Sequence, residues 1–97
     1  MRKIEREMRQ AVANRQTWRN GNTSVCLHFY GEEFGNEWHP NVFLHDNHIA
    51  TIKNGQCVVN VETLRRWPSV TTKSRLRALG ANITTKNGIT YLDGVAV

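Results

Sequence analysis

The sequence predicts a single α+β domain over residues 1–97: an N-terminal helix, an antiparallel β-meander, a short second helix and a C-terminal β-hairpin. Three observations predict it. An apolar stripe at helical spacing opens the chain, two Asn-Gly pairs sit between β-prone runs in its second half, and a Thr-capped, Gly-terminated helical run lies between those pairs. Ninety-seven residues hold apolar material for one core, and 39% hydrophobic residues with eight aromatics are enough to fill it without a staple.

Ile4, Met8, Ala11, Val12 and Trp18 recur at helical spacing, with Arg2, Arg6, Arg9 and Gln16 mostly opposite, so residues 2–18 read as an amphipathic helix ended by Asn20-Gly21-Asn22. Glu5 stands four residues before Arg9, a spacing that favours a helical ion pair of about 0.3–0.5 kcal/mol. Burial of the apolar stripe must therefore supply most of the helix's stability.

From Thr23 to Tyr30 the pattern alternates, with Val25, Leu27 and Phe29 on one face and Cys26, His28 and Tyr30 on the other. Residues 31–40 match no regular period and read as a loop. Val42–His45 and His48–Lys53 are short strands about Asp46-Asn47, and a further strand runs from Lys53 to Val61 through Asn54-Gly55. After Trp67-Pro68, residues 71–79 form a helix with a threonine N-cap and Gly80 just past its end. Ile83–Lys86 and Ile89–Leu92 flank Asn87-Gly88 as the last hairpin, and Asp93-Gly94 turns the chain again.

Cys26 and Cys57 fall at strand positions and read as buried thiols of a reducing cytoplasm, since the charged segment from Met1 to Arg6 is no signal sequence. No apolar run approaches the roughly 20 residues that span a bilayer, so no membrane role is expected. The net charge of +5 is unevenly spread: residues 1–20 carry six basic and two acidic side chains, 21–63 one and five, and 64–97 six and one. Such a dipolar chain can meet two partners of opposite sign.

No nucleophile elbow, phosphate-binding glycine loop or zinc-protease helix is present, and the expectation is a binding protein without cofactor rather than an enzyme. His45, Asp46 and His48, with His28, His39 and the cysteines as further ligand types, place two histidines at an exposed hairpin tip, which does not complete a metal site. A metal-dependent nuclease at the histidines is the enzyme such groups would make, recognisable by nicking that a chelator abolishes.

Two surfaces carry binding chemistry. Glu32, Glu33, Phe34, Glu37 and Trp38 set aromatic anchors among carboxylates on an irregular segment, which suits a protein partner. Arg65, Arg66, Lys73, Arg75 and Arg77, with Trp67 beside them and a helix N-terminus at Thr71-Thr72, suit nucleic acid, although Arg75 lies about 160–200° around the helix from Lys73 and Arg77. An uncovered meander edge would also permit a homodimer.

Residues 71–79, the hairpin through Asn87-Gly88 to Tyr91-Leu92-Asp93-Gly94, the opening Met1-Arg2-Lys3-Ile4-Glu5 and the turn segment 44–50 resemble a group of small tailed-phage accessory proteins with a Thr-x-Ser-Arg-Leu helix near the C-terminus. Arg77 departs from the small polar residue of that pattern. The resemblance implies a product made in an infected bacterium that binds, inhibits or redirects a host enzyme or defence protein.

Overall fold

A computed structural model describes residues 2–31, 35 and 37–97. In chain order the elements are α1 (Lys3–Ala13), β1 (Trp18–Asn20), β2 (Thr23–Phe29), β3 (Trp38–Leu44), β4 (Asn47–Lys53), β5 (Gln56–Val59), α2 (Val61–Arg66), α3 (Val70–Ala78), β6 (Ile83–Lys86), β7 (Ile89–Leu92) and β8 (Val95–Ala96). Strands β1 to β5 form an antiparallel meander in sequence order, and β6 to β8 form a second, three-stranded sheet. The α+β class and the opening helix agree with the sequence, while each later part is richer than expected by one element.

The N-terminal helix stops at Ala13 rather than continuing to residue 18. Arg15 adopts φ 51°, its amide donates to the Val12 carbonyl, and the Gln16 amide donates to the Ala11 carbonyl at 2.9 Å. That is a Schellman motif, which satisfies the last carbonyls of the helix and turns the chain outward. Trp18 is thereby released into β1, where it pairs with Val25.

Three two-residue hairpin turns, at Asn54-Gly55, Asn87-Gly88 and Asp93-Gly94, have positive φ at both central residues, the geometry of type I′. The β3–β4 turn is displaced by one residue from its expected place. Its tip is His45-Asp46, with φ of 50° and 62°, and Leu44 pairs with Asn47 and Phe43 with His48. A slip of one residue moves side chains to the opposite face. The reason is burial: with this register Val42 and Leu44 enter the core, and a bulge in β4 turns both Ile49 and Ala50 inward. Residues 38–40 extend β3 instead of belonging to the loop. Pro40 fits because it pairs only toward β2, opposite Leu27, and lies beyond the end of the β4 pairing.

Helices α2 and α3 replace the single expected second helix. Asn60 caps α2 by accepting from the Thr63 amide at 3.2 Å, and Leu64 is its buried residue. Ser69, not Thr71, caps α3, its hydroxyl accepting from the Thr72 amide at 3.1 Å. At the far end Gly80 takes φ 100°, its amide meets the Arg77 carbonyl and the Ala81 amide meets the Leu76 carbonyl, a second Schellman motif. A Cβ on Gly80 would meet nothing within 4 Å, so the cost of Gly80→Ala is purely conformational. Gly80→Ala is expected to lower stability by about 1 kcal/mol, read from the urea midpoint, and Gly31→Ala, which keeps an ordinary φ and equally open space, to leave it within about 0.5 kcal/mol.

The helices share one core with the inner face of the five-stranded sheet. Met8 and Ala11 from α1, Val25, Val42, Leu44, Ile49 and Ala50 from the sheet, Leu64 from α2, Leu76 from α3 and Ile83 from β6 are all buried together. Among the described residues no helix is long and apolar enough to cross a membrane.

Candidate functional site

The outer face of the five-stranded sheet, away from the core, carries an ordered polar network. Asn41 Oδ1 accepts from the Tyr30 hydroxyl at 2.8 Å and from Thr51 Oγ1 at 2.6 Å. Because the Thr51 proton goes to Asn41, Thr51 accepts from His48 Nε2 at 3.0 Å, and His48 Nδ1 then accepts from Asn60 Nδ2 at 3.0 Å. The bonding pattern selects the neutral Nε2–H tautomer. Burial pushes the His48 imidazole below its ordinary value, outweighing an opposing backbone hydrogen bond at Ala50, and the nearby His28 adds a smaller push in the same direction as burial. Phe43 stands between His28 and His48, at ring-centroid distances of 6.1 and 5.6 Å.

This network decides the fate of the histidine tip. His45 lies at the turn itself, whereas both ring nitrogens of His48 are engaged on the sheet face, so the two do not oppose one another across the hairpin. Among the described residues no three His, Cys, Asp or Glu side chains converge on a metal position. Cys26 and Cys57 are free thiols on opposite faces of the sheet, and burial pushes Cys57 up to about 11.

The five basic residues between positions 65 and 77 are dispersed. Arg75 is buried: its guanidinium meets Glu5 at 2.9 Å with side chains only 5% and 6% exposed, and its Nε donates to Thr23 at 3.0 Å. Ser74 donates to the same Glu5 oxygen at 2.5 Å, so α1, α3 and β2 are tied at one point. Lys73 reaches Thr85 at 2.7 Å and Arg77 donates to the Ile83 carbonyl at 2.8 Å, both pinning α3 to the second sheet. Arg65 is exposed, and Arg66 faces Glu62 at 3.7 Å while its guanidinium lies 5.4 Å from the Trp67 ring centroid. Trp67, 46% exposed, lines a groove of about 740 Å³ with Arg66, His45, Asn47 and the start of α3.

Of the aromatic acidic segment, Glu32, Glu33 and Phe34 lie outside the described residues. Glu37 is exposed, and its carbonyl accepts from the Tyr30 amide at 2.9 Å, closing the end of the β2–β3 hairpin. Trp38 is 56% exposed and packs on Phe29, itself 53% exposed, with ring centroids 5.7 Å apart and planes inclined by 60°. The strand register makes this pair, since Phe29 stands directly opposite Trp38. Phe29 was missed as a surface residue because alternation alone placed it with Val25 and Leu27, yet its ring is more than half exposed.

A family model described as Kyanoviridae Gp96 protein matches residues 1–96 of the chain. No curated protein and no solved structure matches it.

Proposed function

From a chain that belongs to the Kyanoviridae Gp96 protein family, a tailed-phage family, we propose a small non-catalytic accessory protein that binds and modulates a macromolecule in the host bacterial cytoplasm. The partner is a host protein of defence or nucleic-acid processing. The observation that carries this reading is the exposed Phe29–Trp38 pair at the end of the β2–β3 hairpin, the end at which Glu37 is also exposed. Two large rings held rigid by strand pairing lose little conformational freedom on binding, and aromatic anchors rimmed by charge are the usual energetic centre of an interface. The carboxylates that the sequence sets in this segment, Glu32, Glu33 and Glu37, also suit the basic channel of a nucleic-acid-processing enzyme.

The competing reading, nucleic acid held by Arg65, Arg66, Lys73, Arg75 and Arg77, keeps Arg65, Arg66 and Trp67 as its support. It loses Arg75 to the interior, and Lys73 and Arg77 are committed to contacts within the chain.

The test is capture from host lysate with the tagged protein and with Phe29→Ala/Trp38→Ala, followed by titration of the identified partner. The expected result is a discrete partner whose affinity falls by about 2 kcal/mol or more in the variant, with the melting temperature held within a few degrees. No enrichment above background, or equal capture by both proteins, overturns the reading.

A further inference from the structure

We propose that His48 and Asn60 form a proton-operated latch on the first turn of α2, closed while the imidazole is neutral and opened when the ring takes up a second proton. The latch shares no residue with the Phe29–Trp38 surface and stands or falls separately from it.

Its polarity is set by a group that cannot reverse. The Thr63 backbone amide can only donate, so Asn60 must turn its side-chain oxygen toward it, at 3.2 Å. The side-chain nitrogen is thereby aimed at His48, where Asn60 Nδ2 donates to Nδ1 at 3.0 Å. A ring nitrogen that accepts carries no proton, so the single proton of the neutral imidazole is on Nε2, which donates to Thr51 at 3.0 Å. Thr51 in turn donates to Asn41 at 2.6 Å, and every bond from α2 across the sheet has one direction.

A second proton can go only to Nδ1, since Nε2 holds the first. Nδ1–H then meets the Asn60 NH2 group, donor against donor. Asn60 can accept from it by turning its amide over, and that rotation withdraws Oδ1 from Thr63 and leaves the α2 cap unmade. Rotation about one side-chain bond is a smaller movement than expulsion of the ring, which is anchored by Thr51 and packed on Phe43 at 5.6 Å. Helix α2 depends on this cap, because it has six residues, too few to persist by propagation alone, and Leu64 is its buried residue. The Asn60 amide keeps its bond to the Ile49 carbonyl at 2.8 Å, so the end of β5 stays in place and the change falls on the helix. Thr63, Arg66 and Trp67 all line the groove of about 740 Å³, which makes that surface the readout of the latch.

The surroundings of the ring fix the direction of the switch. Strand alternation puts His28 and Cys26 of β2, His39 of β3 and Lys53 of β4 on the same face as His48, and the Tyr30 phenol reaches in through Asn41. From β5, Gln56 and Val58 share this face and bring no charge. Glu62 of α2 is 83% exposed and faces Arg66, and Asp46 of the β3–β4 turn is held by Arg19. Helix α3 packs on β4 with its Arg75 already engaged by Glu5. Among the described residues no carboxylate bonds to the ring. Burial therefore outweighs the one contact that favours charge, a backbone hydrogen bond at Ala50, and His28 adds to burial. A histidine held below its ordinary 6.5 in the folded state contributes stability that is complete above 6.5 and is lost as pH falls through the folded value. Acid opens the latch.

The experiment is imidazole and amide NMR of the isotope-labelled full-length protein, titrated from about pH 8 to about pH 5, above the range in which carboxyls take up protons. The expected result is a neutral His48 protonated on Nε2 that titrates below 6.5. As it does so, the protection of the Thr63 amide against hydrogen exchange should fall about fivefold, the loss expected of one helix cap. The Thr72 amide, capped by Ser69 with no histidine attached, should keep its protection. Asn60→Asp retains a good cap and sets an acceptor against Nδ1, so His48 should titrate at least about one unit higher than in wild type. Thr63 should then keep its protection in acid. His48→Gln should make Thr63 protection independent of pH. A neutral ring protonated on Nδ1, a wild-type midpoint at or above 6.5, or a ring still uncharged at the acid end would each overturn the proposal. So would Thr63 protection unchanged through the titration, equal losses at Thr63 and Thr72, or an Asn60→Asp variant whose His48 midpoint does not rise.

Discussion

Replacing Arg75 by Met is expected to remove about 3–5 kcal/mol of folding stability, a large share of the roughly 5–15 kcal/mol available to a domain of this size. Glu5 and Arg75 are separated by 70 positions and pair at 2.9 Å with both side chains almost wholly withdrawn from water. Removing the cation leaves the Glu5 carboxylate buried without its counter-charge, and that desolvation, rather than the worth of the contact itself, sets the size of the loss. The double variant Glu5→Leu/Arg75→Met leaves no orphaned charge and should recover much of the stability. Urea unfolding with an unchanged slope is the measurement, and an Arg75→Met midpoint equal to wild type would show that the pair does not hold α1 to α3.

The same pair makes the fold sensitive to acid. Burial alone pushes the Glu5 carboxyl up. The hydrogen bonds from Ser74 and Arg75 and the charges of Arg75 and Arg2 outweigh it and hold the group below its ordinary 4.5. A carboxyl depressed in the folded state contributes stability that is complete above its unfolded value and is lost as pH falls through the folded one. Wild-type stability should therefore decline below about pH 4.5, and this part of the decline should vanish in Glu5→Leu/Arg75→Met.

The second large effect is expected at Leu76. This side chain is 0% exposed and sits in the shared core with Met8, Leu64 and Ile83. Leu76→Ala should cost about 3 kcal/mol through lost burial and the cavity left behind. Helix α3 packs against α1, β4 and β6, so it is the bridge between the two sheets. Loosening it should speed amide hydrogen exchange in β6–β8 before it affects the centre of the five-stranded sheet. Val70→Ala on the same helix, where the side chain is 76% exposed, should stay within about 0.5 kcal/mol. Equal effects at positions 70 and 76 would contradict the packing described.

What the sequence determined by itself was local. The stripe Ile4, Met8, Ala11 already required α1, and the Asn-Gly pairs already placed two hairpin turns, because a type I′ turn tolerates few other residues. Gly80 already ended α3, since a left-handed C′ position selects glycine. Helix α2 was legible too, in Asn60 three residues before Thr63, a capping pair overlooked in favour of β-prone neighbours. The phage-type resemblance likewise pointed to a tailed-phage protein, and the family match over residues 1–96 agrees with it at that level.

Tertiary structure decided everything that depended on which charge or ring was covered. The early end of α1 came from Arg15 taking a conformation that no local signal marks. The β3–β4 register came from core burial and a bulge, and it separated His45 from His48. Arg75 reads as one of five surface cations in the sequence, whereas the fold buries it against Glu5 and commits Lys73 and Arg77 to contacts with the second sheet, which disperses the basic cluster at residues 65–77. Propensity and turn chemistry act over a few residues and can be read in order, whereas exposure is a property of the assembled sheet and helices. For that reason the elements were readable in the sequence and the surfaces were not.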